Sequence, residues 1–330
     1  MTRLPLWARP ELLAKDLGGL ALYYPGQALL ARAPRAALAP LARAGAGVVR
    51  RIGVADLRAE ARELAAWVAA RSGEAPPPEE ALVRAALRGQ MRSELEVLRY
   101  GTLTPGNLAE TCVVEGRERL DAALSRGRGA VLLLAHMGAN QLVMPALGHL
   151  GYAMHQLSAP PTKWVELLAE TRATPLWARV QARRWALEQR LPVRHVDVFG
   201  FLRPAFEALH ANGVLGVAFD GGGGSRFAEV PLLGRIARLS TQSVDLARRT
   251  GAAALPVVVV WDDALRVHRV VILGEVEAGA PTDTLRAVVA SVEPWVAAFP
   301  EAYLPFLAMR RRVGRADGRP LFVGGGARGT

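Results

Sequence analysis

One cysteine in 330 residues, Cys112, leaves no partner for an internal disulfide and no set of thiolates for a metal; a lone thiol suits a reducing compartment. No apolar run is long and clean enough to cross a bilayer. Residues 17–31 are uncharged but short and broken by Pro25. The longest uncharged stretch, 129–162, holds His136, Gly138, Asn140, Gln141, Pro145 and Pro160-Pro161, the punctuation of a strand–loop–helix–strand unit. The N-terminus lacks the apolar core and small-residue cleavage site of a secretory leader. No Gly-Lys-Ser/Thr ending makes a P-loop of the glycine-rich stretch 221–226. Lysine is almost absent, two residues against 39 arginines, which reads as the codon usage of a GC-rich genome.

With 51% hydrophobic and 22% charged residues the chain is globular, and it is long enough to bury a large core. Its net charge of +11 sits at the two ends. Residues 1–51 carry eight basic residues against two acidic, residues 310–330 six against one, and 52–309 balance at 27 each. Such a distribution points to docking on an anionic surface or partner rather than to an electropositive active site. The ends carry no recognition helix, zinc pattern or aromatic-interleaved basic groove, so nucleic acid is not an expected partner.

Taken in order, residues 1–51 mix short Leu/Ala patches with single arginines, prolines and glycines, as packed helical pieces or an interfacial amphipathic segment would. Apolar residues recurring at three and four predict helices over 54–71 and 79–99, joined by the stiff Glu74-Ala-Pro-Pro-Pro78. After residue 100 the rhythm changes. Cys112–Gly116 leads into a short helix, 117–125, then a Gly-rich turn and apolar strands at 131–135, 152–158, 193–198, 214–220 and 254–261. Helical stretches separate most of these strands. Residues 266–276 alternate and, after the Asp262-Asp263 turn, read as a hairpin partner of the preceding strand; 283–298 is the last long helix. The expected fold is α/β, a mostly parallel central sheet flanked by helices. An N-terminal helical, basic, membrane-proximal region (1–100) precedes the α/β domain (101–330).

The chemistry concentrates at Gly129-Ala-Val-Leu-Leu-Leu-Ala-His-Met-Gly-Ala-Asn-Gln141. Val131–Ala135 reads as a strand buried on both faces, and His136 follows at its carboxyl end, where open α/β sheets bind ligands. A glycine and a helical pattern come next, which would aim unpaired amides of Met137 and Gly138 at the same spot. The five other histidines read as structural. Gln141, five residues on, is placed to return towards the imidazole. Met137, Leu142, Met144, Leu147 and Trp164 have the helical spacing of ordinary core rather than of an acyl tunnel.

The segment Val114–Gly138 resembles the approach to the His-x4-Asp/Glu motif of the bacterial lipid A biosynthesis (lauroyl/myristoyl) acyltransferases, members of the lysophospholipid acyltransferase superfamily. Phe219-Asp220, Val230-Pro-Leu-Leu-Gly234 ahead of a helix at 241–250, and Pro300-Glu-Ala-Tyr-Leu-Pro-Phe-Leu-Ala-Met-Arg-Arg-Arg312 agree, in order, over roughly residues 90–312. The resemblance implies transfer of an acyl group from acyl carrier protein or coenzyme A to a hydroxyl or amine of a lipid or glycolipid. His136 would be the general base, and no metal or resident cofactor is needed beyond the thioester co-substrate. Through its basic ends such a protein is expected to bind peripherally to the cytoplasmic face of a bacterial inner membrane.

Where the family has Asp or Glu, this chain has Gln141, which can accept an imidazole N–H but brings no charge. Either a downstream acid reaches the ring or catalysis is weakened, leaving an acyltransferase-like protein that binds lipid or acyl carrier. Asp220, ending a strand, and Glu229, placed like the histidine-pairing acid of mycobacterial relatives, are the two candidates, with Glu229 slightly favoured. Between them Gly221, Gly222 and Arg226 read as a phosphate- or pantetheine-cradling loop or a surface turn. Arg190 and Arg194 flank a strand and are candidates for binding an acceptor phosphate.

Overall fold

Ala130–Leu134 sits in the middle of the sheet because every residue in it is apolar and every one is buried. Val131 and Leu133 pack into the core on one face, while Ala130, Leu132 and Leu134 pack into a second core on the other. A strand covered on both faces has no polar alternation, which is why its sequence reads as an unbroken run.

The computed structural model describes residues 10–52, 54–158, 160–161, 163 and 174–323. Its strands are β1 Cys112–Glu115, β2 Ala130–Leu134, β3 Met154–Ser158, β4 Arg194–Asp197, β5 Val214–Ala218, β6 Phe227–Leu232, β7 Arg235–Ser240, β8 Ala253–Asp262 and β9 Val267–Ile272. The helices are α1 Pro10–Ala21, α2 Gln27–Arg32, α3 Leu38–Ile52, α4 Ala55–Ser72, α5 Glu79–Leu98, α6 Arg117–Leu124 and α7 Val143–His149. They continue with α8 Pro175–Glu188, α9 Arg203–His210, α10 Gln242–Thr250, α11 Pro281–Ala298 and α12 Pro300–Asp317. Seven strands form the sheet in the order β1-β9-β8-β2-β5-β3-β4. All neighbours are parallel except β8 and β9, the expected hairpin.

Two elements escaped the sequence reading. The hairpin β6–β7 turns at Leu233-Gly234, both at positive φ (53° and 72°). Such a turn usually announces itself as Asn-Gly or Asp-Gly. Here Leu233 takes the strained position because its side chain is buried in the core and its amide donates to Glu293 Oε1 at 2.7 Å. The other is α12, whose internal Pro305 hid an 18-residue helix. Trp164 lies outside the described residues.

The N-terminal helices share the core: Leu57, Leu64, Val83 and Leu87 belong to the same buried cluster as Val131 and Leu133. Helix α5 packs against α3 and α12, and α4 against α12. Charge follows the same contacts, and this revises the picture of two free basic ends. Arg311 pairs with Glu60 (2.8 Å) and Glu63 (3.1 Å), Arg315 with Asp56 (2.6 Å), Arg50 with Glu80 (2.7 Å), and Arg310 is buried. Acidic faces of α4 and α5 thus absorb part of the excess, although exposed pairs contribute only ~0–1 kcal/mol each.

One buried polar cluster joins the N-terminal region to the sheet edge. Arg35 holds Glu96 Oε1 at 2.6 Å and Thr111 Oγ1 at 2.7 Å, and His268 Nε2 lies 4.0 Å from the same Glu96 oxygen. Burial, helped by the charges of Arg92 and Arg35, pushes His268 down to about 3 from an ordinary 6.5. The unfolded chain therefore takes up a proton below about pH 6.5 that the folded chain refuses. Its stabilising contribution is complete above that pH and is lost as pH falls towards 3, with a slope of up to about 1.4 kcal/mol per pH unit. Thermal or urea unfolding from pH 7 to 4 should show this slope in wild type and a shallower one in His268→Phe.

Candidate active site

Sheet register places the site. Leu134 of β2 stands beside Ala218 of β5, and both chains run two residues further, so His136 arrives next to Asp220. Phe219 N–H still bonds Leu134 O (3.2 Å), carrying the pairing past the strand ends. His136 Nδ1 lies 2.6 Å from Asp220 Oδ1, and the His136 amide donates to Asp220 Oδ2 at 2.9 Å. Tyr303, on the first turn of α12, donates its hydroxyl to the same Oδ2 at 3.0 Å. Asp220 is wholly buried and accepts all three, the compensation an ionised carboxylate needs there. Burial and the Asp220 charge push the Tyr303 phenol well above its usual range, so the hydroxyl keeps its proton and stays a donor.

With Asp220 an ionised acceptor, Nδ1 carries the ring proton and Nε2 holds a free lone pair. No described protein group hydrogen-bonds Nε2. The ring is stacked flat on Phe306, centroids 4.6 Å apart and planes 2° apart, which fixes its tilt. One edge of His136 borders a cavity of about 880 Å³. Residues 138–141, α5, the start of α12 and the β8–β9 turn also line it. The N-terminal region therefore supplies a wall of this cavity, through α3 and α5.

The residues expected from sequence distribute unevenly. His136 and Asp220 come together; Glu229, the slightly favoured acid, does not join them. It lies exposed on β6 opposite Arg238, because the alternation of the hairpin turns Val230 and Leu232 inward instead. Gln141 borders the cavity but its Oε1 accepts from Arg184 Nη2 (2.8 Å), not from the imidazole. Arg184 in turn holds Glu94 (2.7 Å) and Glu188 (3.3 Å), so Gln141 is one member of a buried clamp between α5 and α8. The amides of Met137 and Gly138 are also engaged, donating to Ala135 O (2.7 Å) and Ala302 O (2.9 Å). The physical reason is a loop, not a helix, after the strand: helical turns begin at Asn140, and Gly138 turns at φ 58°, where a Cβ would strike Val259 O. The amides of Ala139 and Asn140 donate to no described acceptor. The Met137 side chain is core.

In the glycine-rich loop, Gly221 approaches the ring, with the place of its missing Cβ 3.9 Å from His136 Cε1. Gly222 faces the Arg310 guanidinium so closely that a Cβ would overlap it. Arg226 pairs with Asp245 (2.9 Å), which takes its charge away from the cavity. Arg190 and Arg194 are exposed and line no part of it. Tyr303 and Phe306 were missed as site residues. Their spacing, three apart just after Pro300, is the ordinary signature of a helix face, and only the docking of α12 against α4 and α5 turns it towards His136.

A histidine whose Nδ1 is held by a buried carboxylate, at the carboxyl edge of a mostly parallel sheet and open to a cavity, defines an α/β protein equipped to abstract a proton. The chain belongs to the bacterial lipid A biosynthesis acyltransferase family, whose profile matches residues 9–311. Comparison with curated protein sequences gave no match. Among solved structures it is similar to the 1-acyl-sn-glycerophosphate (LPA) acyltransferase PlsC from Thermotoga maritima. The two are 16% identical over 64% of this chain and 81% of that one, with a TM-score of 0.33.

Removing the Tyr303 hydroxyl leaves Asp220 one donor short. Tyr303→Phe should lower kcat on the order of tenfold with KM kept, and lower the unfolding temperature, since a hydrogen bond to a buried charge contributes ~1.5–3 kcal/mol. Glu229→Gln should change kcat/KM by less than about twofold, as an exposed substitution away from the cavity does. Steady-state kinetics on the two variants side by side distinguishes the two acids.

Proposed function

We propose that this lipid acyltransferase uses the His136–Asp220 pair to move a fatty acyl group from an acyl carrier protein or coenzyme A thioester to a hydroxyl or amine of a lipid or glycolipid. The observation that carries the reading is the 2.6 Å contact between Nδ1 and a fully buried carboxylate, which leaves Nε2 free at the cavity wall. A hydroxyl is a poor nucleophile at neutral pH. Nε2 takes its proton as the oxygen attacks the thioester carbonyl, a contribution of ~10²- to 10⁴-fold. The C–S bond then breaks, and the imidazolium returns the proton to the leaving thiolate. Asp220 holds the tautomer and stabilises the imidazolium between the two steps. The oxyanion falls to the unengaged amides of Ala139 and Asn140, in place of Met137 and Gly138. Asp220 thus supplies the charge that Gln141 lacks, which speaks against the reading of a weakened protein that only binds.

Exposed Leu17, Tyr24, Leu29, Leu41 and Val48, all within the first 50 residues, accompany exposed Arg32, Arg43 and Arg51. Scattered apolar and cationic side chains on α1–α3 support peripheral attachment to an anionic bilayer. No helix among the described residues is long and apolar enough to cross a membrane.

The test follows free thiol released from acyl-CoA and from acyl carrier protein in the presence of a panel of lipid acceptors. Acceptor-dependent release by wild type, abolished in His136→Ala, supports transfer. Release with no acceptor dependence, or equal release by the variant, removes His136 from the chemistry.

A further inference from the structure

We propose that Arg88, Arg92 and Arg266 form a phosphate subsite in the wall of the His136 cavity, a proposal that rests on reading this cavity as the site of acyl transfer. Arg88 and Arg92 stand one turn apart on α5 and so share a face, and both border the cavity. Arg266 reaches it from the tight turn between β8 and β9, where its backbone is left-handed at φ 56°. Three guanidiniums from two distant segments therefore converge on one space.

No acid is matched to Arg88 or Arg266, a state that exposed Arg43 on another part of the cavity wall shares. Several arginines that brace the fold are matched: Arg184 by Glu94 and Glu188, Arg235 and Arg311 by Glu60 and Glu63, Arg269 by Glu115. The side chains of Arg88 and Arg266 form no ion pair or hydrogen bond with any described residue. Arg92 lies 3.6 Å over the ring of Trp261, a contact that orients a guanidinium without neutralising it. The cavity's own acids fill the gap only in part. Glu94 belongs to Arg184, and burial together with the Asp263 charge pushes Glu301 towards its neutral form, which leaves Asp263, accepting also from Trp261 Nε1 at 2.8 Å, as one acid facing three guanidiniums. Burial, with the nearby charges of Arg88 and Arg266, makes ionisation of Arg92 harder than usual, against the opposing pull of Asp263 and Glu96. Like charges on one wall of a cavity attract an anion, and the planar forks of arginine match a phosphate's oxygens.

The position suits the reaction. Arg88 acts electrostatically on Glu301, which sits on the same helix as Phe306, the residue stacked on His136. An anion held there lies along the wall that leads to Nε2. Two substrates of an acyl transfer can carry such a group: the donor, through the phosphate of its phosphopantetheine arm, or a phosphorylated lipid acceptor.

Titration calorimetry with inorganic pyrophosphate tests the subsite without any turnover. Wild type and His136→Ala should bind it alike, and the Arg88→Gln/Arg266→Gln double variant should bind roughly ten- to a hundredfold more weakly. Its unfolding temperature should be unchanged, because both side chains are exposed and touch no partner. No saturable binding by wild type, or equal affinity in the double variant, overturns the proposal. Competition identifies the source: displacement by 4′-phosphopantetheine assigns the subsite to the donor, displacement by glycerol 3-phosphate to the acceptor. Pyrophosphate binding with no thiol release from any donor would leave the subsite standing and sink the acyl-transfer reading instead.

Discussion

His136→Ala is expected to lower the rate of acyl transfer by about 10³-fold, within the 10²- to 10⁴-fold range of a positioned general base. That corresponds to about 4 kcal/mol of lost transition-state stabilisation. The loss should fall on kcat, because the ring touches the nucleophile only as its proton leaves, while the cavity that binds donor and acceptor is otherwise intact. Folding should suffer too, by ~1.5–3 kcal/mol, because the ring's one side-chain hydrogen bond goes to the wholly buried Asp220, whose Oδ1 is left without a donor. Loss of Phe306 stacking adds to that cost. Thiol release, with unfolding temperature recorded alongside, measures both.

Asp220→Asn is the second large effect, and its origin is different. An asparagine amide nitrogen next to Nδ1 prefers to donate, which drives the ring proton to Nε2 and removes the lone pair the reaction needs. The variant also loses the charge that stabilises the imidazolium. A fall in kcat of roughly 10²- to 10⁴-fold is expected. It should also destabilise the fold, by ~1–3 kcal/mol, since Asp220 is wholly buried and its two oxygens accept from the His136 amide, the His136 ring and Tyr303. Unfolding measurements beside the kinetics give the stability cost of each variant separately from its catalytic cost.

The sheet was readable because its strands are what their composition makes them: uniformly apolar where both faces are covered, as in Ala130–Leu134, and bounded by Gly-rich turns. His136 was readable for the same reason, as the first polar residue beyond such a strand. The partner of His136 was readable only as a choice between Asp220, which ends a strand at the same sheet edge, and Glu229, which was slightly favoured; Gln141 satisfies a local spacing. What decides is the lateral register of β2 against β5, which sets residue 134 beside 218 and so 136 beside 220. Register is a long-range property, fixed by how the whole set of side chains fills the two cores. The amides of Met137 and Gly138 failed on a similar point: a helix was expected to start at once, but Gly138 at positive φ first turns the chain against Val259 and lets Ala302 accept its N–H. Tyr303 and Phe306 carry no local signal at all beyond an amphipathic face, since their role comes from where α12 is docked.

The family resemblance and the structure meet in one question, whether Asp220 has taken over the part that the motif gives to the residue at 141. A double-mutant cycle on acyl transfer answers it most directly. If His136 and Asp220 act as one unit, Asp220→Asn added to His136→Ala should cost almost nothing further, because the base it serves is already gone. If the two losses multiply in full, Asp220 acts independently of the imidazole and the proposed catalytic pair does not exist.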